Sequence, residues 1–357
     1  MVQADRPIPL NQGAAAAQAV EHYRVQAVEE VTAGIYERMA ERLEVFGERG
    51  REYCRDDLHS HLDYLSGSLI AGEPALFGQY MVWLEELLAA RGIPADSVPL
   101  SVGLLRDFLR KRLPSAQFDI AEAVLDGGQR ALEQPVYPVR RLGASIDPAV
   151  CHPCTETLAE SLVRGDQRRC EGIVTAVTAE QGYVEMAVNL IQPALYRIGE
   201  GWQVRQVSVA QEHLATALAQ RLLVRQFVEA TPARGNGRKA LFACIPSNQH
   251  ALGLRIVADA FELDGWEVDY LGADTPADAL VERIHEVQPE LVGLSIALIR
   301  QLPVLKDVVD RIRSACGDAA PRIIAGGGGL DGVPNLAERL GLDQWHAQAR
   351  TALEGCA

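Results

Sequence analysis

The sequence predicts a multi-domain α + α/β protein ending in a five-stranded, doubly wound parallel sheet of flavodoxin-like (Rossmann-type) order. Two observations predict it. Apolar residues recur at helical spacing through most of the chain before TPARGNGR. Beyond it the pattern changes to short apolar runs, KALFACI, WEVDYLG, ELVGLSI and PRIIAGGG, separated by helical segments. Strands alternating with helices build βαβ units, which pair in parallel.

Residues 1–132 read as five or six helices. VEHYRVQAVEEVTAGIYERMAERLEVF and YMVWLEELLAARG carry the period, with breaks at Gly72/Pro74, Gly92–Pro99 and Pro114. Residues 133–150 hold three prolines and no sustained period, and read as a linker. Residues 151–232 contain four amphipathic segments with short connections, which suggests a four-helix bundle. Residues 238–357 form the α/β domain, its fifth unit lying around LGLDQWHAQARTALEG.

With 357 residues the chain is long enough for two or three cores. A net charge of −14 argues against nucleic acid, whose phosphates need clustered Lys and Arg, and against an anionic membrane surface. No apolar run reaches the ~18 residues of a membrane span. The start MVQADRPIPL lacks a basic-then-apolar signal pattern, so a cytoplasmic location is expected. Seven scattered cysteines do not form a disulfide framework. Cys151 and Cys154 read as reduced thiols at a helix entrance: no second CxxC or HxxxH completes a zinc site, although His152 and Cys170 are near.

Ligands of open α/β sheets sit at the carboxyl ends of the strands, at the topological switch point. SNQHALG falls there, after the first strand. No G-x-G-x-x-G is present in that loop, so a dinucleotide lacks its pyrophosphate cradle. Four glycines, Gly326–Gly329, follow the fourth strand instead and permit close approach of a flat or bulky group. Three features converge: Asn248-x-His250-x-x-Gly253, Ser295-Ile-Ala297, and the glycines Gly326, Gly327 and Gly328.

These motifs resemble the cobalamin-binding domain of methionine synthase and its relatives, with its D-x-H-x-x-G, S-x-L and G-G pattern. The resemblance covers residues 238–356. It implies that His250 is the lower cobalt ligand in place of the corrinoid's own base, a role suited to a neutral ring nitrogen. The displaced nucleotide tail would thread beside Ser295 and the glycines. Two positions depart from the pattern: Asn248 replaces the aspartate and Ala297 the leucine. Asn248 can still accept the ring N–H of His250 but brings no charge, so a weaker cobalt–histidine bond is expected.

Upstream, Trp202 stands nine residues before Glu212-His213. This W-x9-EH spacing resembles the bundle of light-sensing cobalamin proteins related to the carotenogenesis repressors. It implies that Trp202, Glu212 and His213 cap adenosylcobalamin, the tryptophan as an apolar wall and the pair as polar partners. Those repressors carry a histidine directly after the tryptophan; Gln203 stands here, so a lit-state upper ligand would come from elsewhere, such as His213. No helix-turn-helix is read at the N terminus. The helical domain there is globin-like and, with the rest, resembles the photocobilins. That resemblance rests on architecture and implies a bilin, biliverdin, as second chromophore. His59 and His61 are the candidate bilin-site residues, with Tyr64 and Trp83 as aromatic lining; satisfied surface histidines are the simpler reading of both.

The leading hypothesis is a non-enzymatic photoreceptor with light-dependent homo-oligomeric assembly and a downstream protein that the sequence does not reveal. A corrinoid methyl carrier of a methyltransferase system is the alternative, although methylcobalamin needs no capping tryptophan. A third is an antirepressor that binds protein and reads cobalamin as a signal.

Overall fold

In a computed structural model the described residues are 8–134, 151–327, 333 and 335–356. Expectations for the 135–150 linker and for Gly328 lie outside them. The chain divides into two compact units, residues 1–140 with 299–303, and residues 141–298 with 304–357.

Among its described residues the first unit holds six α-helices: α1 (Leu10–His22), α2 (Arg24–Leu43), α3 (Gly47–Ala71), α4 (Pro74–Ala89), α5 (Ser97–Arg112) and α6 (Ser115–Glu133). The long period around VEHYRVQAVEE is split at Tyr23 (φ −102°, ψ 9°). Helix α3 stops where Gly72 turns left-handed (φ 73°). Pro99 lies inside the first turn of α5 rather than before it, because a helix's first amides need no intrahelical acceptor.

In the second unit a bundle comes first: α7 (Thr155–Arg164), α8 (Gln167–Gln181), α9 (Tyr183–Met186), α10 (Gln192–Gln203) and α11 (Val209–Glu229). A π-helical turn, Ala187–Ile191, joins α9 to α10, so that the four expected rods are present. Pro193 explains the turn. It has no N–H for the carbonyl of Asn189, and the backbone amide of His152 bonds that carbonyl instead at 2.8 Å. His152 also caps α7 through its ring, which accepts the Cys154 amide at 3.1 Å. Cys151 and Cys154 are both reduced thiols, outside any disulfide.

The sheet domain runs β1 (Lys239–Cys244), α12 (Leu252–Leu263), β2 (Glu267–Gly272), α13 (Ala277–Val287), β3 (Leu291–Ser295), α14 (Leu302–Cys316), β4 (Arg322–Gly326), α15 (Leu336–Leu340), β5 (Gln344–His346) and α16 (Ala349–Cys356). All pairings are parallel, in the order β2-β1-β3-β4-β5. The expected flavodoxin-like order is therefore present, with its switch point between β1 and β3. The central strands β1 and β3 are buried on both faces, the reason their sequences are continuously apolar. Register aligns the strand ends: Cys244 pairs with Ser295, Ser295 with Gly326, and Gly326 with His346. Among the described residues no helix is long and apolar enough to cross a membrane.

Candidate functional site

One cavity of about 820 Å3 lies in the second unit between α10 and α11 on one side and the strand ends on the other. It sits near the top of the roughly 300–1,000 Å3 range of small-molecule pockets.

Its roof is set by two helix ends. Trp202 occupies the last turn of α10, and the chain reverses there with the Gly201 carbonyl accepting the amides of Gln206 and Val207. Helix α11 then opens on a capping box. Ser208 Oγ accepts the Gln211 amide at 3.3 Å, and Gln211 Oε1 accepts the Ser208 amide at 2.9 Å. The box places Glu212 in the first turn with His213 directly after it, both lining the cavity with Trp202. His213 is exposed, and its Nδ1 donates to Glu212 Oε2 at 2.5 Å. Glu212 Oε1 accepts the Thr216 hydroxyl at 2.9 Å. With Nδ1 as the donor, a neutral His213 keeps its lone pair on Nε2.

The floor is the loop after β1. Ser247 is left-handed (φ 65°), and its amide donates to Asp274 Oδ1 at 2.6 Å, while Gln249 Nε2 donates to Asp274 Oδ2 at 3.1 Å. Asn248 is fully buried; its Nδ2 donates to the Ser295 carbonyl at 2.9 Å and its Oδ1 accepts the His250 backbone amide at 3.1 Å. This differs from the role expected for Asn248, which was to accept the His250 ring N–H. The side chain holds backbone on both sides, and the bond to Ser295 needs a donor that an ionised aspartate lacks. Thus anchored, the loop exposes His250 to the cavity.

Gly253, Ser295, Ala297, Gly326 and Gly327 line the same cavity. At two of these glycines the reason is not the expected ligand approach. A Cβ on Gly327 (φ 143°) would stand 1.6 Å from the Ile296 carbonyl oxygen, and one on Gly326 2.3 Å from that of His346. Both therefore serve the close packing of the strand ends. Gly253 is the opposite case: a Cβ there would meet nothing within 4 Å, so the space beside it is open to a ligand.

A corrinoid fits these observations: an exposed histidine on a fixed loop, open space at Gly253, and a tryptophan roof across a large cavity. A chain scan could not single out Asp274, Tyr196, Gln220 or His346, which also shape the loop or the cavity. His346 could have been found as the residue ending the expected fifth strand.

In the first unit the two histidines part. His61 lies on the buried stripe of α3 with Leu58, Leu62, Leu65 and Leu69, and is a core residue rather than a surface one. Its Nδ1 faces the Asp57 carbonyl at 2.6 Å and the Tyr80 hydroxyl at 3.1 Å, and its Nε2 the Ser101 hydroxyl at 2.9 Å. Burial pulls its pKa down to about 4. His61 lines a cavity of about 100 Å3, and His59 is not among that cavity's lining residues. Tyr64 stacks on Tyr80 with ring centroids 3.8 Å apart, and Trp83 packs against the same ring.

Comparison with known proteins agrees with the cavity. A B12 binding domain model matches residues 238–357, and a second B12 binding domain model matches 155–225. Fold and site thus define a cobalamin-binding protein in which a helical bundle faces the carboxyl edge of a flavodoxin-like sheet. The chain is 30% identical over 219 residues to the HTH-type transcriptional repressor CarH of Myxococcus xanthus, covering 58% of this chain and 71% of that one. It is 36% identical over 148 residues to the repressor CarA of the same organism, covering 42% and 50%. A corrinoid protein of Desulfitobacterium hafniense is 22% identical over 210 residues, covering 56% of this chain and 94% of that protein. The chain belongs to the cobalamin-binding light-sensor family that includes these repressors.

Proposed function

We propose that this protein is a non-enzymatic photoreceptor that binds adenosylcobalamin, with His250 as the lower cobalt ligand. The observation that carries the reading is that Trp202, Glu212 and His213 line the same cavity as His250. Adenosylcobalamin, when bound, supplies a cobalt–carbon bond that light breaks. Trp202 provides a flat apolar wall for the adenosyl group, and Glu212 an acceptor for its ribose hydroxyls. His213, oriented through Nδ1 by Glu212, would offer Nε2 as a nitrogen donor once the adenosyl group has left, since Gln203 offers no imidazole.

Trp202, Glu212 and His213 would contact an adenosyl group only while it is bound, which would supply a differential interaction between two placements of the bundle. The account expects light to change that placement and, with it, the assembly of a homo-oligomer. The net charge of −14 supports a protein rather than nucleic acid as the next partner. Biliverdin as second chromophore of residues 1–132 belongs to the same proposal and rests on architecture. The 100 Å3 cavity beside His61 is below the roughly 300 Å3 of small-molecule pockets, so a bilin there requires the helices to part.

The test is size-exclusion chromatography with light scattering on protein loaded with adenosylcobalamin, dark and after green light, with spectra recorded alongside. A light-dependent change of mass and spectrum is expected; identical mass and elution would overturn the assembly switch. A bilin band that persists through desalting is expected after incubation with biliverdin. The second reading, a methyl carrier of a methyltransferase system, is favoured by the similarity to a corrinoid protein along 94% of its length. It predicts equal affinity for methyl- and adenosylcobalamin.

A further inference from the structure

His250 is fixed on one side by Asn248, whose Oδ1 accepts the His250 backbone amide at 3.1 Å. Both polar groups of that side chain hold backbone, so the direction of the His250 ring depends on how the chain is held around it. On the far side comes Ala251, the N-cap of α12. Its carbonyl accepts two bonds, from the Arg255 backbone amide at 2.9 Å and from the Tyr270 hydroxyl at 3.2 Å. Both lone pairs of that oxygen are thereby used. The first bond opens α12; the second comes from another element of the fold.

Tyr270 stands on β2, an edge strand of the sheet. It pairs in register with Phe242 of β1, and the next pair is Ala243 with Gly272, which leaves Leu271 without an opposite residue. A bulge of this kind bends a strand and re-aims the side chains beside it. Side chains alternate along a strand, so Val268 and Tyr270 pack towards α12 while Asp269 pairs with Arg283 of α13 on the other face. The Tyr270 ring is steadied by Arg255, whose guanidinium lies 5.0 Å from its centre and 5.6 Å from the centre of Phe227 in α11. Burial pushes the Tyr270 phenol up to about 12, so it remains a donor. Tyr270 is not among the residues that line the cavity, and its link to the site runs through Ala251.

We infer that Tyr270 is a positioning residue for the cobalt ligand: by holding the Ala251 carbonyl it sets the direction in which His250 offers its ring. The inference rests on His250 being the lower ligand, as proposed above. A metal bond to an imidazole nitrogen is directional, and groups behind a ligand tune it by fixing that direction. Without the hydroxyl, the start of α12 keeps its own first bond and loses its tie to β2. The loop can then swing, and the ring spends less time aimed at the metal.

The test loads the full chain with adenosylcobalamin in the dark. It reads affinity and, from the visible spectrum, the share of bound cofactor coordinated by imidazole. Tyr270→Phe keeps the ring and its Arg255 contact and removes the hydroxyl. It is expected to weaken binding about tenfold, the lower end of the range for groups that orient a metal ligand, and to leave a clear fraction of the bound cofactor without imidazole. Val268→Ala loosens the same face of β2 without touching Ala251, and is expected to lower stability while keeping the wild-type spectrum. Should Tyr270→Phe not fold, Tyr270→Met is judged by the same criterion. Weaker binding by Tyr270→Phe with the wild-type spectrum would mean that the hydroxyl only steadies the fold, and overturns the inference. Affinity and spectrum both equal to wild type overturn it as well, as does an equal loss of imidazole coordination in Val268→Ala. Wild type without imidazole coordination would overturn the ligand reading itself, a separate failure.

Discussion

Tyr183 donates its hydroxyl to the carboxylate of Asp259, joining the helical bundle to α12 of the sheet domain. Asp259 is 1% exposed, and Arg255 Nε lies 2.6 Å from its other oxygen as an ion pair. The Arg255 guanidinium is 5.0 Å from the centre of the Tyr270 ring, and the Tyr270 hydroxyl donates to the Ala251 carbonyl at 3.2 Å. A continuous set of contacts thus runs from the bundle to the residue after His250.

Removing the hydroxyl leaves a buried carboxylate with one partner fewer. Tyr183→Phe is expected to cost about 1.5–3 kcal/mol, the range for a hydrogen bond to a charged group. Asp259→Asn should lose a comparable amount, and the double variant less than the sum. Denaturant unfolding of the four proteins checks this. Strict additivity would mean that the two side chains do not act on each other.

The roof makes a different prediction. Trp202→Ala deletes the flat wall above the cavity and leaves the His250 loop untouched. Affinity for adenosylcobalamin should fall by tenfold or more, since burying a large side chain against a ligand is worth about 1.5–3 kcal/mol. Affinity for methylcobalamin should change little. Equal losses for both cofactors would mean that Trp202 does not face the upper ligand.

The two sites differ in how far the sequence revealed them. The change from a helical to a strand period at TPARGNGR is local, so the sheet and its order were legible, as was the His250 loop. The grouping of Trp202 with Glu212 and His213 was legible through the resemblance of the W-x9-EH spacing, and one short turn between two helix ends brings the three together. Contacts made by distant segments were not. Asp274 follows β2 and reaches back to Ser247, and nothing in either stretch announces the other. The place of Asn248 depends on a carbonyl 47 residues away. His61 misled the sequence reading because RDDLHSHLDYL is polar enough to suggest surface, although the apolar stripe through Leu58, Leu62 and Leu65 takes His61 inward.

Asp57 gives a pH prediction for the first unit. Burial, aided by Asp56, raises its carboxyl to about 6 from 3.8. A raised carboxyl means that the native state keeps a proton which the unfolded chain has lost, so stability falls as pH rises through that window. Asp57→Asn removes this cost and leaves the backbone carbonyl that meets His61. The variant should be more stable than wild type at pH 7 by on the order of 2 kcal/mol. The advantage should vanish by about pH 4, where both folded and unfolded carboxyls approach protonation. The opposite shift of His61 is common to both proteins and cancels. Denaturant midpoints measured between pH 4 and 7 decide it; a constant difference across that range would contradict the burial of the Asp57 carboxyl.

The central claim is that the loop fixed by Asn248 and Asp274 presents His250 as the lower ligand of cobalamin, and the visible spectrum of the loaded protein tests it most directly. Wild type should show the signature of imidazole coordination with the corrinoid's own base displaced. In His250→Ala that signature should be lost, and affinity should drop, while far-UV circular dichroism of the protein stays the same. An unchanged cobalamin spectrum in a folded His250→Ala protein would contradict the account.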